Sequence, residues 1–378
     1  MSGRRALVVG AGIGGLSSAI ALAEKGWQVT VAELKPENTT VGVGINNPAN
    51  ALRALKALGV YDEVVRRGWE YQGIQRYTED GELITTFEPT SPGDVPFQIS
   101  MTRADLHDIL TSRARELGAR IELGLTWTAI DQHDDEVHVT LTDGTTRAYD
   151  LVVGADGIRS PLRRLLFGTG HEPRGTGYVC WRMRAERPEG VRYSQYFNGS
   201  RVKATVINLN PATMYLLVIE RAEPGPARTP AELAAGLRAL LDGFPGLIKE
   251  IRDSITPATE IHRGPLEEVE LPGSWYRGRV VLIGDAAHAI TPHLAQGAGM
   301  AMEDAVVLAD ELDRTGDDVP AALNAFQRRR HPRVSYVQQQ AHEILRNEME
   351  SDAERKAAFA AGLGARQQQI VDLLAKPA

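Results

Sequence analysis

The feature that most constrains this chain is a glycine-rich stretch near its N-terminus, residues 6–33, ALVVGAGIGGLSSAIALAEKGWQVTVAE. An apolar run short enough for one buried strand precedes a G-x-G-x-x-G pattern formed by Gly10, Gly12 and Gly15. Small and apolar residues then recur at helical spacing, and a second strand-like run ends in Glu33. The stretch predicts a βαβ unit whose first turn binds a dinucleotide.

Each part of this unit has a physical role. The first glycine permits the tight turn, the second lets a pyrophosphate approach the backbone, and the third lets the helix pack closely on the strand. The first helical turn, which includes Gly14, offers unpaired N–H groups to the phosphates. Glu33, roughly 20 residues on, is placed to accept hydrogen bonds from ribose hydroxyls. An acid there argues against NADP, but the stretch does not distinguish NAD from FAD.

Bulk composition narrows the class of protein. With 378 residues, the chain is longer than one core usually covers, so two domains are expected. The net charge of -7 gives no reason to expect a nucleic acid partner. Cys180 is the only cysteine, which excludes an intrachain disulfide and favours the cytoplasm, and no metal site is predicted. No apolar run reaches the roughly 18 residues of a membrane span.

Two further segments repeat the arrangement of a buried strand that runs into glycine and an acid. Residues 151–157, LVVGADG, carry the acid at Asp156, and residues 279–288, RVVLIGDAAH, carry it at Asp285. Asp156 alone is also consistent with a simple capping residue between a strand and a helix. Three such sites spread along the chain suggest one long ligand that crosses the domain, and FAD is such a ligand.

Between these segments the character of the sequence changes. Residues 175–269 alternate as strands rich in aromatic residues and arginine, interrupted by one predicted helix at 230–241, and residues 73–87 predict a hairpin. The expected fold is α/β: a Rossmann-like FAD-binding domain with an inserted, mostly antiparallel β-sheet substrate domain and C-terminal helices. The predicted boundaries are 1–72, 101–174 and 271–325 for the FAD-binding domain, 73–100 for the substrate-sheet hairpin, 175–270 for the substrate domain and 326–378 for the C-terminal helices.

Two other segments carry weaker predictions. Residues 41–48 are glycine-spaced and are predicted to form a loop that passes close to a ligand, although a plain connecting loop fits equally well. The tail at 342–378 has the composition of a helix and is predicted to be a surface or interface helix.

Taken together, three motifs resemble those of the single-component FAD-dependent aromatic hydroxylases, the family of para-hydroxybenzoate, salicylate and 6-hydroxynicotinate hydroxylases. The motifs are GAGIGG with Glu33, GADGIRS, and GDAAHAITPHLAQGAGMAMEDA, and they cover most of the nucleotide domain in the family's order. One departure is Ala295, where many relatives have glycine.

The resemblance assigns the cofactor site residue by residue. Arg103 would contact FAD, although alone it reads as a solvated helix arginine; Trp127 would touch adenine through its backbone; Asp156 would serve both FAD and NAD(P)H, and Asp285 would bind the ribityl hydroxyls. His288 would only support its loop. The full predicted cofactor set is Gly10, Gly12, Gly14, Gly15, Glu33, Lys35, Gly44, Arg103, Trp127, Asp156, Asp285, Pro292, Gly297, Ala298, Gly299 and Met300.

The resemblance also implies the reaction, a hydroxylation that uses NADH or NADPH, molecular oxygen and a C4a-hydroperoxyflavin to attack a small electron-rich aromatic or N-heteroaromatic substrate. A side chain that binds the substrate oxyanion is then valuable. The candidate catalytic residues are Tyr215, Tyr196, His293, Arg182 and Arg263. These candidates also have an ordinary structural interpretation: the tyrosines as core residues whose hydroxyl groups are hydrogen-bonded, and the arginines as surface charges. Some relatives have histidine where Asn46 stands, so a histidine relay is not expected there.

The sequence alone leaves other functions open. A halogenase or an isoprenoid reductase would use the same scaffold, although the halogenase Trp-x-Trp-x-Ile-Pro stretch is absent. A nicotinamide dehydrogenase would leave the segment around Asp285 unexplained, and a flavin-binding protein without turnover is a further class. No second G-x-G-x-x-G follows a strand, so NAD(P)H is expected to bind transiently near the flavin and Asp156. A homodimer is possible.

Overall fold

The computed structural model describes residues 3–37, 42–90, 93–199, 201–348, 355, 359, 366 and 368–378. Val41 of the predicted ligand loop and most of 349–367 in the predicted tail helix lie outside these ranges.

The strands and helices follow one another along the whole chain. The strands are β1 (Arg5–Val9), β2 (Gln28–Glu33), β3 (Gly44–Pro48), β4 (Trp69–Glu70), β5 (Ile74–Thr78), β6 (Leu83–Phe87), β7 (Gln98–Thr102), β8 (Arg120–Leu123), β9 (Trp127–Gln132), β10 (Val137–Leu141), β11 (Thr146–Tyr149), β12 (Leu151–Gly154), β13 (Arg174–Glu186), β14 (Ser194–Asn198), β15 (Val202–Asn208), β16 (Thr213–Arg221), β17 (Ile261–Glu268), β18 (Tyr276–Arg277) and β19 (Val280–Leu282). The α-helices are α1 (Ile13–Glu24), α2 (Ala49–Ala57), α3 (Tyr61–Arg67), α4 (Arg103–Glu116), α5 (Pro161–Phe167), α6 (Pro230–Leu240), α7 (Gly246–Ser254), α8 (Asp285–His288), α9 (Gly297–Thr315) and α10 (Val319–Glu348), and short 3-10 turns occur at Thr169–His171 and Pro292–Leu294.

A six-stranded sheet forms the centre of the nucleotide domain, in the order β18-β19-β12-β1-β2-β8. All its neighbouring strands pair in parallel except β18 and β19. The strands β12 and β19 are completely buried, because helices cover both faces of such a sheet. The Rossmann-like fold class predicted from the sequence is therefore confirmed.

The topology brings the three predicted acids to one edge of this sheet. Glu33 ends β2, Asp156 follows β12 and Asp285 follows β19, and these strands run in the same direction. The carboxyl ends of parallel strands meet at one edge, which is where open α/β sheets bind ligands. The cofactor site is therefore expected at this edge.

A second sheet of seven strands stands beside the first, in the order β17-β13-β16-β15-β14-β5-β6. Its pairs are antiparallel except β14 with β5. One face carries Trp181 and Leu216 and packs on a core that includes α6 and α7 residues. The opposite face carries Cys180, Tyr215 and Leu217, which pack with Val43 of the segment before β3. This second face, the cleft face, is turned toward the nucleotide domain.

Two local predictions were wrong. The segment at 44–48 is not a loop but strand β3, which pairs antiparallel with β7. Its Asn–Asn–Pro sequence has low strand propensity, but tertiary pairing overrides it, and Asn47 Nδ2 donates to Ile99 O at 3.2 Å. The insert also has two helices where one was predicted. Helix α7 begins at the glycine of a Pro–Gly pair that is typical of turns, yet Leu247, Ile248 and Ile251 bury one of its faces.

The C-terminal part of the chain packs on the nucleotide domain. Helix α10 continues to Glu348, and a further helix at 368–375 follows, which we name the C-terminal helix. Its Ile370 and Leu374 belong to the main core, so it is docked and not merely a surface helix. Among the helices that the structure describes, none is long and apolar enough to cross a membrane.

Candidate active site

The three glycines of the first turn have different surroundings. Gly10 has φ +102°, and a Cβ there would lie 2.5 Å from Ala155 O. A Cβ on Gly15 would lie 1.9 Å from Gly10 O. The first and third glycines are therefore required by chain packing. A Cβ on Gly12 would meet no heavy atom within 4 Å, so the backbone at the start of α1 is open to a ligand.

Glu33 is held against this turn. Its Oε2 accepts a hydrogen bond from Ala11 N at 2.8 Å, and its Oε1 accepts one from Lys35 N at 2.9 Å. On the other side of the turn, Ala11 O accepts a hydrogen bond from Nε2 of the buried His107 at 2.9 Å. A single histidine on a helix gives no sequence signal for this contact, so the contact could not be predicted.

The segment after β8 approaches the same end of the cleft. Gly124 N donates to Lys35 O at 3.0 Å, and Leu125 N donates to Glu33 O at 2.9 Å. Trp127 begins β9 two residues later and packs against the main core. Glu33, Lys35 and the stretch leading to Trp127 therefore lie side by side.

Asp156 takes the helix-capping role considered from the sequence with only one of its two carboxylate oxygens. Its Oδ2 accepts a hydrogen bond from Leu162 N at 3.0 Å, at the start of α5, as a helix-capping residue would. Its Oδ1 is buried and has no hydrogen-bond partner among the described residues. Burial raises the pKa of this carboxyl group. Only one of its two oxygens is therefore used by the helix.

Asp285 and Arg103 face each other across the cleft. Burial raises the pKa of Asp285, and the charges of His288 and Arg103 oppose that rise. The side chain is nevertheless exposed to solvent, so protein atoms surround Asp285 without covering its carboxyl group. Burial lowers the pKa of Arg103, and Asp285 opposes that change. Arg103 Nε is buried and has no hydrogen-bond partner among the described residues.

Tyr215 projects from the cleft face toward the same place. It is buried, and its ring lies so close to β3 that a Cβ on Gly44 would come within 2.4 Å of Tyr215 Cδ1. Gly44 therefore makes room for the tyrosine. Burial raises the pKa of Tyr215 to about 12, although Arg182 and Arg103 lower it. Its hydroxyl group stays protonated at neutral pH and can donate a hydrogen bond.

Arg182 and Tyr196 share this face with Tyr215. A row of directly opposed residues, Arg182, Leu217, Thr205 and Tyr196, runs across four strands. Arg182 is half-buried and makes no hydrogen bond or ion pair with any residue that the structure describes. The Tyr196 ring lies between two cations, with Arg76 Cζ at 4.7 Å and Lys203 Nζ at 4.3 Å from its centroid.

The structure does not bring Arg263 to the cleft. Arg263 stands opposite Trp181 in the sheet, and successive strand residues point to opposite faces, so both lie on the face away from Arg182. The Arg263 guanidinium stacks 5.2 Å from the Trp181 ring and bonds to Glu223 O and Glu220. A pair of arginines flanking one pocket, as the sequence suggested, is therefore not formed.

The loop between α8 and α9 carries several of the residues predicted for the cofactor site. Pro292 and His293 form its 3-10 turn and are half-buried. Ala295 adopts the left-handed conformation with φ 54°, and it is the only non-glycine residue with positive φ in the described ranges. Helix α9 then begins at Gly297, where a Cβ would meet no heavy atom within 4 Å, followed by the half-buried Ala298.

The remaining predicted residues of this helix turn serve packing. A Cβ on Gly299 would lie 3.3 Å from the Ala51 Cβ, and Met300 is completely buried. In the first turn of α1, a Cβ on Gly14 would lie 3.3 Å from the Ala301 Cβ. These positions let α1, α2 and α9 approach one another beneath the cleft.

Comparison with known proteins places the chain in a family. The family model for the FAD binding domain matches residues 4–341. The 2-heptyl-3-hydroxy-4(1H)-quinolone synthase of Pseudomonas aeruginosa is 36% identical over 344 residues, which cover 89% of this chain and 87% of the relative. The 6-hydroxynicotinate 3-monooxygenase of Bordetella bronchiseptica is 29% identical over 362 residues, which cover 90% and 91%.

The solved structures agree with the sequence relatives. The structure of Klebsiella pneumoniae HpxO complexed with FAD and uric acid has a TM-score of 0.88 and 27% identity, and the match covers 99% of this chain and 97% of that chain. The resemblance stated from the sequence motifs is thus confirmed, and the halogenase and reductase readings are not favoured. The chain belongs to the FAD-dependent aromatic hydroxylase family and is a flavoprotein monooxygenase.

Proposed function

We propose that this monooxygenase hydroxylates a small electron-rich aromatic or N-heteroaromatic acid, and that Arg182 binds the acidic group. The observation behind this proposal is the half-buried Arg182 guanidinium, which has no hydrogen-bond or ion-pair partner among the described residues and lies on the cleft face beside Tyr215. A guanidinium fork matches a carboxylate in shape and charge. Its positive charge also acts on Arg103 and Tyr215, so these groups share one electrostatic environment.

The cofactor assignment has support in this chain's own residues. The open backbone at Gly12 suits the pyrophosphate, and the unused oxygen of Asp156 and the recessed carboxyl of Asp285 suit hydroxyl groups of a long ligand. Gly297 leaves the start of α9 accessible in the same way. Bound FAD supplies electron transfer from NAD(P)H and the activation of molecular oxygen. These residues would bind and orient it.

The protein's part in the reaction is to orient the substrate and keep its ring electron-rich. The protonated Tyr215 hydroxyl would donate a hydrogen bond to the substrate's phenolic or pyridone oxygen. A second donor lies on β3, where Asn46 is on the same face as Gly44. Asn46 Oδ1 accepts from Ser100 Oγ at 2.8 Å, and Ser100 Oγ accepts from Gln98 Nε2 at 3.2 Å. The amide nitrogen of Asn46 is then the end that can donate to the substrate.

Matched pairs of compounds test the proposal. We expect 6-hydroxynicotinate and 3-hydroxybenzoate to stimulate NAD(P)H oxidation with incorporation of one oxygen atom, and their uncharged analogues 2-hydroxypyridine and phenol to do so much less. The uncharged bicyclic 4-hydroxyquinoline represents the alternative suggested by the quinolone synthase relative. Stimulation by 4-hydroxyquinoline with no response to any acid would overturn the role of Arg182.

Two variants test whether Arg182 is the group that binds the substrate's carboxylate. Arg182→Ala should raise KM for the carboxylated compound roughly ten- to a hundredfold, because a hydrogen bond to a charged group contributes about 1.5–3 kcal/mol. The uncharged analogue should be unaffected. Arg263→Ala is the control, since Arg263 occupies the opposite face of the same sheet. An equal loss for both compounds in Arg182→Ala would exclude Arg182 as the carboxylate contact.

A further inference from the structure

A group of charged side chains is buried beneath the cleft without facing it. Glu303 and Asp304 on α9, Arg330 and Arg333 on α10, and His288 on α8 are each at most 8% exposed. Burial of charge is costly unless each group is paired and hydrogen-bonded. We call these five residues the buried network. The chemistry of the cleft does not use them, so their placement calls for another reason.

Asp304 connects this network to the turn that carries Asp285. Its Oδ2 accepts hydrogen bonds from Gly284 N at 3.0 Å and from His288 Nε2 at 2.7 Å. Its Oδ1 accepts from Arg330 Nε at 2.7 Å. Gly284 directly precedes Asp285 and has φ +55°. Asp304 therefore fixes both ends of the short helix that presents Asp285 to the cleft.

Glu303 connects the network to the start of α9. Its Oε1 accepts from Asn50 Nδ2 at 3.0 Å, and Asn50 exchanges two hydrogen bonds with Gln296, at 2.9 and 3.1 Å. Gln296 is the residue before the first turn of α9, where the backbone at Gly297 is open. Glu303 Oε2 accepts a hydrogen bond from Arg330 Nη1 at 2.6 Å, and Arg330 thereby joins Glu303 to Asp304. Glu303 thus holds the helix end that faces the cleft.

Arg333 extends the network to the C-terminal helix. It binds Glu303 through Nε and Nη2, at 2.9 and 2.8 Å. Its Nη1 donates to Leu373 O at 2.8 Å, and Nη2 also donates to Leu374 O at 3.3 Å. These carbonyls lie in the last turn of the C-terminal helix, where a helix favours a cation. An unbroken chain of contacts therefore runs from that helix to Gly284 and Gln296.

We propose that Glu303 and Asp304 are positioning residues for the FAD site, and that the docked C-terminal helix raises FAD affinity through Arg333. The inference rests on the proposed function only for the location of the FAD site, at the turn before Asp285 and the start of α9. Coupling of this kind is reciprocal. If the docked helix favours the FAD-binding arrangement, bound FAD must favour the docked helix to the same degree.

The full-length Arg333→Gln variant tests both directions. FAD dissociation constants are measured by titration of the apoprotein, and backbone amide exchange of 368–378 is measured with and without FAD. In the wild type, FAD should slow exchange in 368–378. In Arg333→Gln, the dissociation constant should rise about tenfold, and the FAD-dependent protection should be lost. If Arg333 served only stability, its replacement would change the overall stability of the protein, and amide exchange of 368–378 would not depend on FAD.

Two further variants make the test independent of folding defects. Ile370→Ala weakens docking of the C-terminal helix without touching the ion pairs, and it should also raise the FAD dissociation constant and remove the protection. Arg252→Gln is the control, because Arg252 of α7 pairs with Asp242 in the insert, away from α9 and from residues 368–378. Exchange of 368–378 that is indifferent to FAD in the wild type, or unchanged FAD affinity in folded Ile370→Ala, would overturn the proposal. Neither measurement needs a substrate, so the outcome is separate from that of the tests with aromatic acids and their uncharged analogues.

Discussion

Gly44 and Tyr215 touch across the boundary between the two sheets: a Cβ on Gly44 would lie 2.4 Å from Tyr215 Cδ1. Such a separation is impossible for real atoms, so Gly44→Ala must displace the tyrosine or strand β3. We expect this variant to lose most of its substrate-stimulated turnover while still binding FAD, because the ring moves away from the cleft. Turnover and bound flavin per chain are the two measurements.

The control for that variant is Gly273→Ala, where a Cβ would meet no heavy atom within 4 Å and the backbone does not need glycine. It should leave both quantities unchanged. Full turnover in Gly44→Ala would show that the position of the Tyr215 ring does not matter to the reaction.

Asp285→Ala should weaken FAD binding roughly ten- to a hundredfold, since it removes a charged acceptor worth about 1.5–3 kcal/mol. The measurement is flavin fluorescence during titration of the apoprotein. Asp317→Ala, which alters an exposed acid in the turn before α10, is the matched control. Unchanged FAD affinity in Asp285→Ala would remove that residue from the cofactor site.

The pKa of Tyr215 determines how its contribution to the reaction should depend on pH. Burial raises this pKa to about 12, so the hydroxyl keeps its proton well beyond the pH at which a free tyrosine ionises. Hydrogen-bond donation by Tyr215 should therefore be constant from about pH 6 to pH 10 and be lost only as the pH rises further. Tyr215→Phe should lower kcat/KM by about tenfold equally across this range. An alkaline limb below pH 10 that is present in the wild type and absent in Tyr215→Phe would contradict this expectation.

Ala295→Gly should stabilise the protein. The left-handed conformation at Ala295 costs a side-chain-bearing residue roughly 1–2 kcal/mol, and the greater freedom of glycine in the unfolded chain offsets about 0.5–1 kcal/mol of the gain. We expect a net increase of up to about 1.5 kcal/mol in the free energy of unfolding, measured by denaturant titration.

The comparison for this change is Ala235→Gly, at an exposed position inside helix α6. This variant should lower the free energy of unfolding by about 1 kcal/mol. A destabilised Ala295→Gly would mean that the methyl group makes a contact that outweighs the backbone strain.

The position of the three acids at one edge of the sheet could be predicted because its signals are local. Each of Glu33, Asp156 and Asp285 follows a short apolar run and a glycine or strand end, so nearby residues are enough to recognise the pattern. Parallel pairing then brings the three acids together without any further information. The same local rules identified the hairpin of β5 and β6.

The rest depends on contacts between distant residues. Whether Arg182 or Arg263 faces the cleft depends on strand register, and the alternation in β13 and β17 cannot be assigned to a face until both strands are paired. The pairing of β3 with β7 and the ion pairs between Asp304 and Arg330 likewise join separate elements. No periodicity within one element encodes them.

The order of strands in the six-stranded sheet also bears on how the protein is made. Strand β19 adds to the sheet beside β12, although five of the seven strands of the second sheet are synthesised between them. Until β19 leaves the ribosome, β12 has an open edge and Asp285 does not yet exist. If Asp285 binds the cofactor as proposed, we expect cofactor loading to be a late event in biogenesis, and a nascent chain arrested before β19 to present an unprotected strand to chaperones.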